Sequence, residues 1–269
     1  MNIFDRFHIH TSGRGTQPLL FAHGYGCDQS MWRLVAPAFE QTHRIILFDL
    51  AGCGKADPAA YDRARHASLF GYAQDIIDIV RELDLRKVIF VGHSVSAIIG
   101  ALATIEHPEL FDRLVMIGPS PCYVNDGDYH GGFSRPDING LIEALDSNYL
   151  GWASSMAAVI MGTPDRPELV HELRNSLCRT RPDLARAFAK VTFLSDNRSD
   201  LARVRTPSLV IQVTDDVIAP VAVGQYVKDH VRGAELTLLQ TRGHCPHLSA
   251  PEQTIAAMKT FLERERHDG

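Results

Sequence analysis

Short apolar runs recur along the chain, and most of them are continuous rather than alternating with polar residues. Continuous runs of this length predict strands of a parallel sheet that is covered on both faces. The segment FHIHTSG near the N-terminus predicts an antiparallel strand at the edge of that sheet. The other predicted strands are PLLFAHG (18–24), RIILFDL (44–50), KVIFVGH (87–93), RLVMIGP (113–119), SLVIQVT (208–214) and ELTLLQ (235–240).

Amphipathic segments lie between these runs and predict helices. In residues 68–85, apolar side chains recur at the three- and four-residue spacing of one helix face. Asp28 is a candidate N-cap for a helix over residues 28–40. Further helices are predicted over 95–108 and 251–265. Strands that alternate with helices indicate an α/β fold, with a mostly parallel sheet flanked by helices and right-handed crossovers.

The alternation stops between Pro119 and Pro207, where helical patterns occur without a convincing strand. We interpret residues 120–206 as a helical lid, inserted after the sixth strand and lying over one end of the sheet. Residues 1–119 and 207–269 would then form the core. The chain shows no internal repeat and no low-complexity segment.

Composition narrows the possible functions. The 269 residues are 45% hydrophobic and carry a net charge of −5 without a basic run, which argues against nucleic acid as a partner. No stretch approaches the ~20 apolar residues of a membrane-spanning helix, and the first ten residues lack a signal-peptide pattern. Five scattered cysteines without a C-x-x-C pair favour reduced thiols and a cytoplasmic location.

The stretch FVGHSVS (90–96) predicts a buried strand that runs into a sharp turn with Ser94 at its apex. It is similar to the G-x-S-x-G elbow that presents a nucleophilic serine, although Ser96 stands where the final glycine is expected. Gly92 allows close passage of the backbone, and a helix beginning at Val95 would direct its N-terminal N–H groups at the space beside Ser94. The alternative interpretation is an ordinary strand-to-helix turn.

A serine hydroxyl needs a base, and the segment RGHCPHLSAPE (242–252) supplies a candidate. His244 follows the last predicted strand, at the sheet edge where open α/β sheets place their sites. His247 is a weaker candidate, since it lies closer to the helix that follows. His244, Cys245 and His247 together could suggest a metal site, but no second cluster at ligand spacing supports one, so we expect no metal.

A carboxylate should follow the preceding strand, because the chain order in this fold is serine, acid, histidine. The segment QVTDDVIAP offers both Asp215 and Asp216, and the residues alone do not separate the two. The glycines of AHGYG (22–26) would bring a second backbone N–H close to the reacting carbonyl. We therefore predict that Tyr25 and Val95 donate the two N–H groups of an oxyanion hole.

Asp49, in FDLAGCGKAD (48–57), is similar to an acid that binds the ribose of a dinucleotide. The G-x-G-x-x-G turn that should precede such an acid is missing, so we expect no dinucleotide cofactor.

These motifs together resemble the α/β-hydrolase superfamily from about residue 15 to the end of the chain, and within it the RsbQ-like group. That group includes a bacterial stress-response regulator and the plant karrikin and strigolactone receptors. GHSVS is a familiar elbow in it, so the resemblance implies that Ser96 is a family variant. The segments that carry the resemblance are HGYGCDQSMW, GHSVS, GPSPCYVNDGDYHGGF, NYLGWA and RGHCPHLSAPE.

The resemblance implies a triad of Ser94, Asp216 and His244, in which the second aspartate of DDVIAP is the acid. It also implies a pocket beneath the lid. An apolar pocket with few polar groups favours a small hydrophobic ester or lactone, so we expect no charged substrate and no cofactor. Family members commonly have phenylalanine where this chain has Tyr25, whose phenol would add a polar tip at the mouth of the pocket. The residues implied to line the pocket are Tyr25, Phe133, Trp152, Met156, Phe188 and Phe193; the alternative is that the lid residues form the core of the lid.

Three functions stay open at this point. The first is a serine hydrolase acting on a small hydrophobic ester or lactone. The second is a signalling protein whose slow hydrolysis senses or produces a small hydrophobic ligand, with a PAS-domain phosphatase as the partner that the resemblance implies. The third is a C–C bond hydrolase or lyase, because the triad alone does not set the reaction.

Overall fold

The computed structural model describes residues 1–264, which form a seven-stranded sheet in the order β1-β3-β2-β4-β5-β6-β7. The first strand pairs antiparallel with β3 at the edge, and every other pairing is parallel. The mostly parallel sheet and the antiparallel edge strand agree with the sequence prediction. The strands are His10–Ser12 (β1), Gln17–Ala22 (β2), His43–Leu47 (β3), Val88–His93 (β4), Phe111–Ile117 (β5), Ser208–Asp215 (β6) and Glu235–Arg242 (β7).

Helices cover both faces of the sheet, which explains why the central strands are apolar along their whole length. All six residues of β4 are buried, and the next helix, Val95–Glu106, is buried over most of its circumference. The α-helices are Ile3–Arg6 (α1), Leu69–Glu82 (α2), Val95–Glu106 (α3), Arg135–Ser147 (α4), Tyr149–Met161 (α5), Pro167–Arg179 (α6), Pro182–Phe193 (α7), Val221–His230 (α8), Pro246–Ser249 (α9) and Pro251–Leu262 (α10). Residues 265–269, the end of the predicted last helix and core, lie outside the described residues.

The predicted helix over residues 28–40 is wrong. This segment forms two short 3-10 helices, Gln29–Trp32 and Ala36–Phe39. Asp28 does act as an N-cap, since its side chain accepts a hydrogen bond from the backbone N–H of Ser30 at 2.9 Å. Pro37 lies at the start of the second 3-10 helix and has no backbone N–H to donate to the carbonyl four residues earlier, so one continuous α-helix cannot form across the segment.

Four helices, α4 to α7, lie between β5 and β6 in the chain. The first of them begins with a reciprocal capping arrangement between Ser134 and Asp137. The prediction that the insertion follows the sixth strand is wrong, since it follows the fifth. In residues 1–264, one antiparallel strand (β1) and four parallel strands (β2 to β5) precede it. The division into a core of 1–119 and 207–269 and a lid of 120–206 stays a prediction.

The inserted helices share an apolar cluster with the loops at the C-terminal edge of the sheet. Trp152 and Met161 from α5 and Leu173 from α6 belong to the same cluster as Cys27 and Ile218, which follow β2 and β6. The α4–α7 segment is therefore seated on the edge at which the parallel strands end. Within residues 1–264, no helix is both long and apolar enough to cross a membrane.

Candidate active site

The turn between β4 and α3 holds Ser94 in a strained backbone conformation. Its φ of 57° and ψ of −124° lie in a region that residues other than glycine seldom adopt. Gly92 allows the sharp turn, because a Cβ at that position would lie 2.4 Å from the carbonyl oxygen of Ser96. Backbone strain of this kind clusters at functional sites, and here it presents the Ser94 hydroxyl at the C-terminal end of β4.

Ser94, His244 and Asp216 form a continuous hydrogen-bonded chain. The Nε2 atom of His244 lies 2.8 Å from the Ser94 Oγ, and its Nδ1 lies 2.7 Å from the Asp216 Oδ2. All three residues are buried, with between 4% and 7% of each exposed. An ionised carboxylate only accepts hydrogen bonds, so Nδ1 carries the imidazole proton and Nε2 is left to accept the hydroxyl proton of Ser94.

Asp216 is itself fixed by the backbone around it. Its second oxygen, Oδ1, accepts the N–H groups of Ile218 at 2.8 Å and Ala219 at 3.1 Å. The other candidate acid, Asp215, points away from His244: its side chain is 64% exposed and lies 3.4 Å from the Arg242 guanidinium. The geometry thus brings Asp216, and not Asp215, to the imidazole.

His247, the weaker candidate base, lies behind His244 and away from the Ser94 hydroxyl. Its ring packs between Trp32, at 4.8 Å between centroids, and His93, at 4.4 Å. Burial lowers the pKa of His247 from 6.5 to about 3, so the ring is neutral near pH 7. Its surroundings are those of a packed aromatic side chain rather than of a proton-transfer group.

The backbone N–H groups of Tyr25 and Val95 lie in the two segments that adjoin Ser94. Val95 is the first residue of α3, and the loop after β2 lies against the elbow so closely that a Cβ on Gly24 would be 3.3 Å from the Ser94 Cβ. Within residues 1–264, neither N–H has a hydrogen-bond acceptor. Two such donors beside a strained serine are suited to bind a developing oxyanion.

A narrow cavity of about 40 Å³ lies above Ser94, beneath the inserted helices. Four of the six side chains predicted to line it do so: Tyr25, Trp152, Met156 and Phe193. The remaining lining side chains, which sequence reasoning did not assign to the pocket, are mostly apolar. They come from the four helices α4 to α7, from the end of β4, and from the loops after β2, β5, β6 and β7. They are Cys27, His93, Tyr123, Leu141, Ile160, Leu173, Thr192, Ile218 and Cys245.

Phe188 does not line the cavity, and its prediction is wrong. Its ring packs between Tyr72, at 4.6 Å, and Tyr25, at 5.7 Å, where the α7 helix contacts the core. The Tyr25 phenol also faces α7, since it donates a hydrogen bond to the Ala185 carbonyl at 3.1 Å.

Phe133 is also absent from the cavity wall. Its backbone N–H donates to the Tyr123 carbonyl at 3.1 Å, and its carbonyl accepts from Asn125 at 2.8 Å. These bonds hold Phe133 in a small bridged loop before α4, and its side chain packs against the apolar cluster of the inserted helices without lining the cavity. The prediction for Phe133 is therefore wrong as well.

Tyr123 is a polar cavity residue that sequence reasoning missed. It is buried, its ring lies 5.0 Å from that of Phe193, and it lines the same cavity as Ser94. Burial raises its pKa to about 12, so the phenol is neutral near pH 7. The available signal was its position in GPSPCY, directly after β5 at the edge where sites occur.

Asp49 has a structural role in the loops after β3. Its two carboxylate oxygens accept the backbone N–H groups of Gln29 and Lys55, each at 2.8 Å. A Cβ at Gly54 would lie 2.4 Å from the Asp49 Oδ2 atom, so the turn that carries Gly54 closes tightly against this carboxylate. Among residues 1–264, no group of three or more histidine, cysteine and acidic side chains is arranged to hold a metal ion.

Comparison with known proteins agrees with this architecture. The model of the alpha/beta hydrolase family matches residues 19–257. A solved structure of a hydrolase from Oleispira antarctica superposes with a TM-score of 0.95 at 40% identity, covering 98% of this chain and 97% of that one.

Two plant proteins are similar over nearly their whole length. Strigolactone esterase D14 of Arabidopsis thaliana is 39% identical over 264 residues, which is 98% of each chain. Karrikin insensitive 2 receptor IA of Petunia hybrida is 38% identical over 254 residues, covering 94% of this chain and 93% of the relative. These likenesses are consistent with the group that the sequence motifs resemble. On the match to its model and on these relatives, the chain belongs to the alpha/beta hydrolase family.

Proposed function

We propose that this protein is a serine hydrolase that acts on a small hydrophobic ester or lactone. The observation that carries the proposal is the hydrogen-bonded chain from Ser94 through His244 to Asp216, at the floor of an apolar cavity. Membership of the alpha/beta hydrolase family supports hydrolytic chemistry in general. The chemistry of the three side chains supports the choice of serine as the nucleophile.

In the proposed reaction the Ser94 hydroxyl attacks the substrate carbonyl, and its proton passes to His244 Nε2, 2.8 Å away. Asp216 stabilises the imidazolium that forms and holds the ring in the correct tautomer. His244 then returns the proton to the departing alkoxide. A water molecule, deprotonated by His244, releases the acid from the acyl-enzyme and restores Ser94.

The proposed oxyanion hole consists of the backbone N–H groups of Val95 and Tyr25. One lies on the first turn of α3 and the other in the loop after β2, on either side of Ser94. Fixed donors of this kind stabilise charge without reorganisation during the reaction, and removal of one typically costs 10²–10³ in kcat.

The lining and the volume of the cavity favour an uncharged substrate with a short acyl group. Its wall holds no lysine, arginine, aspartate or glutamate side chain in the described part of the protein. A volume of about 40 Å³ is well below the roughly 300–1,000 Å³ of sites that take drug-sized ligands. A bulkier ester or lactone would require the helices above Ser94 to separate from the core. The proposed reaction needs no cofactor.

A second candidate function is ligand sensing, and it is favoured by the likeness to the petunia karrikin receptor over 94% of the chain. In this case slow hydrolysis would sense or produce a small hydrophobic ligand, and the output would be contact with a partner protein. The RsbQ-like resemblance suggests a PAS-domain phosphatase for that partner. For either function we propose a cytoplasmic location, supported by cysteines that are all unpaired in the described residues.

Steady-state hydrolysis of p-nitrophenyl acetate tests the proposal. Ser94→Ala should lose hydrolysis altogether and keep its thermal unfolding midpoint. Ser208→Ala is the matched control, because Ser208 is another buried serine but lies at the N-terminal end of β6, remote from the site. Retention of activity in Ser94→Ala would reject the proposal. For a metabolic enzyme we expect roughly 1–1,000 turnovers per second on its own substrate, and far slower turnover for a sensor.

A further inference from the structure

Ser96 occupies the place of the second glycine of the elbow and is fully buried. Its hydroxyl donates a hydrogen bond to the backbone carbonyl of His23. The bond joins the first turn of α3 to the loop that follows β2. A glycine at this position has no side chain, so an elbow of the usual G-x-S-x-G form cannot make this link.

The loop that receives this bond is oriented by a second contact. The Nε2 atom of His23 accepts the backbone N–H of Leu50 at 3.1 Å. In a neutral ring the proton is then on Nδ1, which donates to the Gly24 carbonyl at 2.9 Å. The Gly24–Tyr25 peptide is trans, so its N–H points opposite to its carbonyl. Fixing the Gly24 carbonyl thus fixes the direction of the Tyr25 N–H.

The two N–H groups of the proposed oxyanion hole come from separate segments of the chain. Val95 precedes Ser96 on α3, and the His23 carbonyl belongs to the peptide before the one that carries the Tyr25 N–H. The Ser96 hydroxyl is therefore a direct side-chain connection between the segment of one donor and the segment of the other.

We propose that Ser96 is a positioning residue that sets the separation of the two oxyanion donors, Tyr25 N–H and Val95 N–H. The inference rests on the proposed function. The Ser96 backbone packs directly against β4, since even a Cβ on Gly92 would lie only 2.4 Å from its carbonyl oxygen. With its backbone held on that side, the serine hydroxyl anchors the loop at a fixed place. Without it the loop and its donor gain freedom to move away from Ser94.

The test compares Ser96→Ala and Ser96→Gly with wild type on p-nitrophenyl acetate. Complete loss of an oxyanion-hole donor typically lowers kcat by 10²–10³-fold. A donor that is only loosened should therefore lower kcat about tenfold and leave KM within about twofold of the wild-type value. A short alkylboronic acid forms a tetrahedral adduct with a serine and so reports on the oxyanion hole. Its affinity should fall about tenfold, in parallel with kcat. Ser96→Thr, which keeps a hydroxyl, should recover part of both losses.

Ser208→Ala serves again as the control, because its buried hydroxyl donates to the Thr206 carbonyl at 2.7 Å, remote from the site. Ser208→Ala should lose about as much stability as the Ser96 variants, but it should keep the wild-type kcat and the wild-type affinity for the boronic acid. Wild-type kcat and boronate affinity in both Ser96 variants would overturn the inference, as would losses that track only the unfolding midpoint. Ser94→Ala separates the two hypotheses: activity there rejects the proposed function, whereas inactivity there with unaffected Ser96 variants rejects only the role of Ser96.

Discussion

His93 donates its Nε2–H to the backbone carbonyl oxygen of His244 across 2.7 Å. The residue directly before the strained serine thus holds the loop that carries the imidazole. Burial, together with the nearby His247 and His244, lowers the pKa of His93 well below 6.5, so its ring stays neutral and keeps this hydrogen bond. The spacing between Ser94 and His244 is therefore set by the bond from the His93 side chain to the His244 backbone as well as by their own hydrogen bond.

The buried histidine behind this pair should make stability depend on pH. The folded protein keeps His247 neutral down to about pH 3, whereas the unfolded chain protonates it below about 6.5. The unfolded state binds more protons in that window, so stability is complete above pH 6.5 and falls as the pH drops toward 3. Each pH unit in that window should cost about 1.4 kcal/mol for this one group.

His247→Phe keeps an aromatic ring against Trp32 and removes the titrating group. We expect the free energy of unfolding of this variant, measured in urea between pH 4.5 and 7.5, to fall less steeply on acidification than that of wild type. His93 should still contribute a slope of the same sign. Parallel curves for the two proteins would show that His247 does not titrate on unfolding.

Replacement of each neighbouring aspartate by asparagine should separate their roles. Asp216→Asn removes the acceptor of the His244 Nδ1–H and favours the wrong tautomer, which can cost ~10⁴ in kcat. Asp215→Asn changes an exposed side chain beside Arg242 and should alter kcat less than twofold. The kcat for p-nitrophenyl acetate measures both effects. A larger loss in Asp215→Asn would contradict the geometry.

Substitution of Trp152 should change the acyl-chain preference. Its ring walls the small cavity above Ser94, so Trp152→Ala should admit longer acyl groups. One methylene in an apolar pocket is worth 10–200-fold in discrimination; we expect the butyrate-to-acetate ratio of kcat/KM to rise about tenfold.

Phe188→Ala is the matched control for Trp152→Ala. It removes a buried aromatic ring outside the cavity, so it should lower the unfolding midpoint and leave the ester ratio unchanged. Equal ratios in both variants and wild type would show that Trp152 acts as core packing and does not limit the substrate.

The elbow could be predicted from the sequence because its determinants are local: a buried apolar strand, Gly92, Ser94 and an apolar helix in direct succession. The choice between Asp215 and Asp216 is not local. It depends on the irregular pairing between β6 and β7 near Val213, which decides which side chain faces the sheet edge. This register shift cannot be predicted from the pattern of apolar residues in the strand. The sequence therefore could not decide whether Asp215 or Asp216 contacts His244.

The pocket was harder to predict, because residues on one helix face different ways. Phe188 and Phe193 are five positions apart on α7, which at 3.6 residues per turn separates them by about 140° around the axis. Only Phe193 lines the cavity. The packing of the four inserted helices determines which face of α7 points toward the cavity. The local sequence around Phe188 and Phe193 does not predict that orientation. Tyr123 was missed for a related reason, since the segment GPSPCY places it after β5 but does not determine which way its side chain points.

The most direct measurement of the central claim is covalent labelling with an alkyl fluorophosphonate, followed by tryptic digestion and mass spectrometry. Ser94 and Ser96 lie on the same expected tryptic peptide, residues 88–113, so fragmentation must locate the adduct between them. We expect one equivalent of phosphonate on Ser94, no label in Ser94→Ala, and labelling slowed by Asp216→Asn. Label on another residue, or equal labelling of Ser94→Ala, would contradict the claim that Ser94 is the nucleophile.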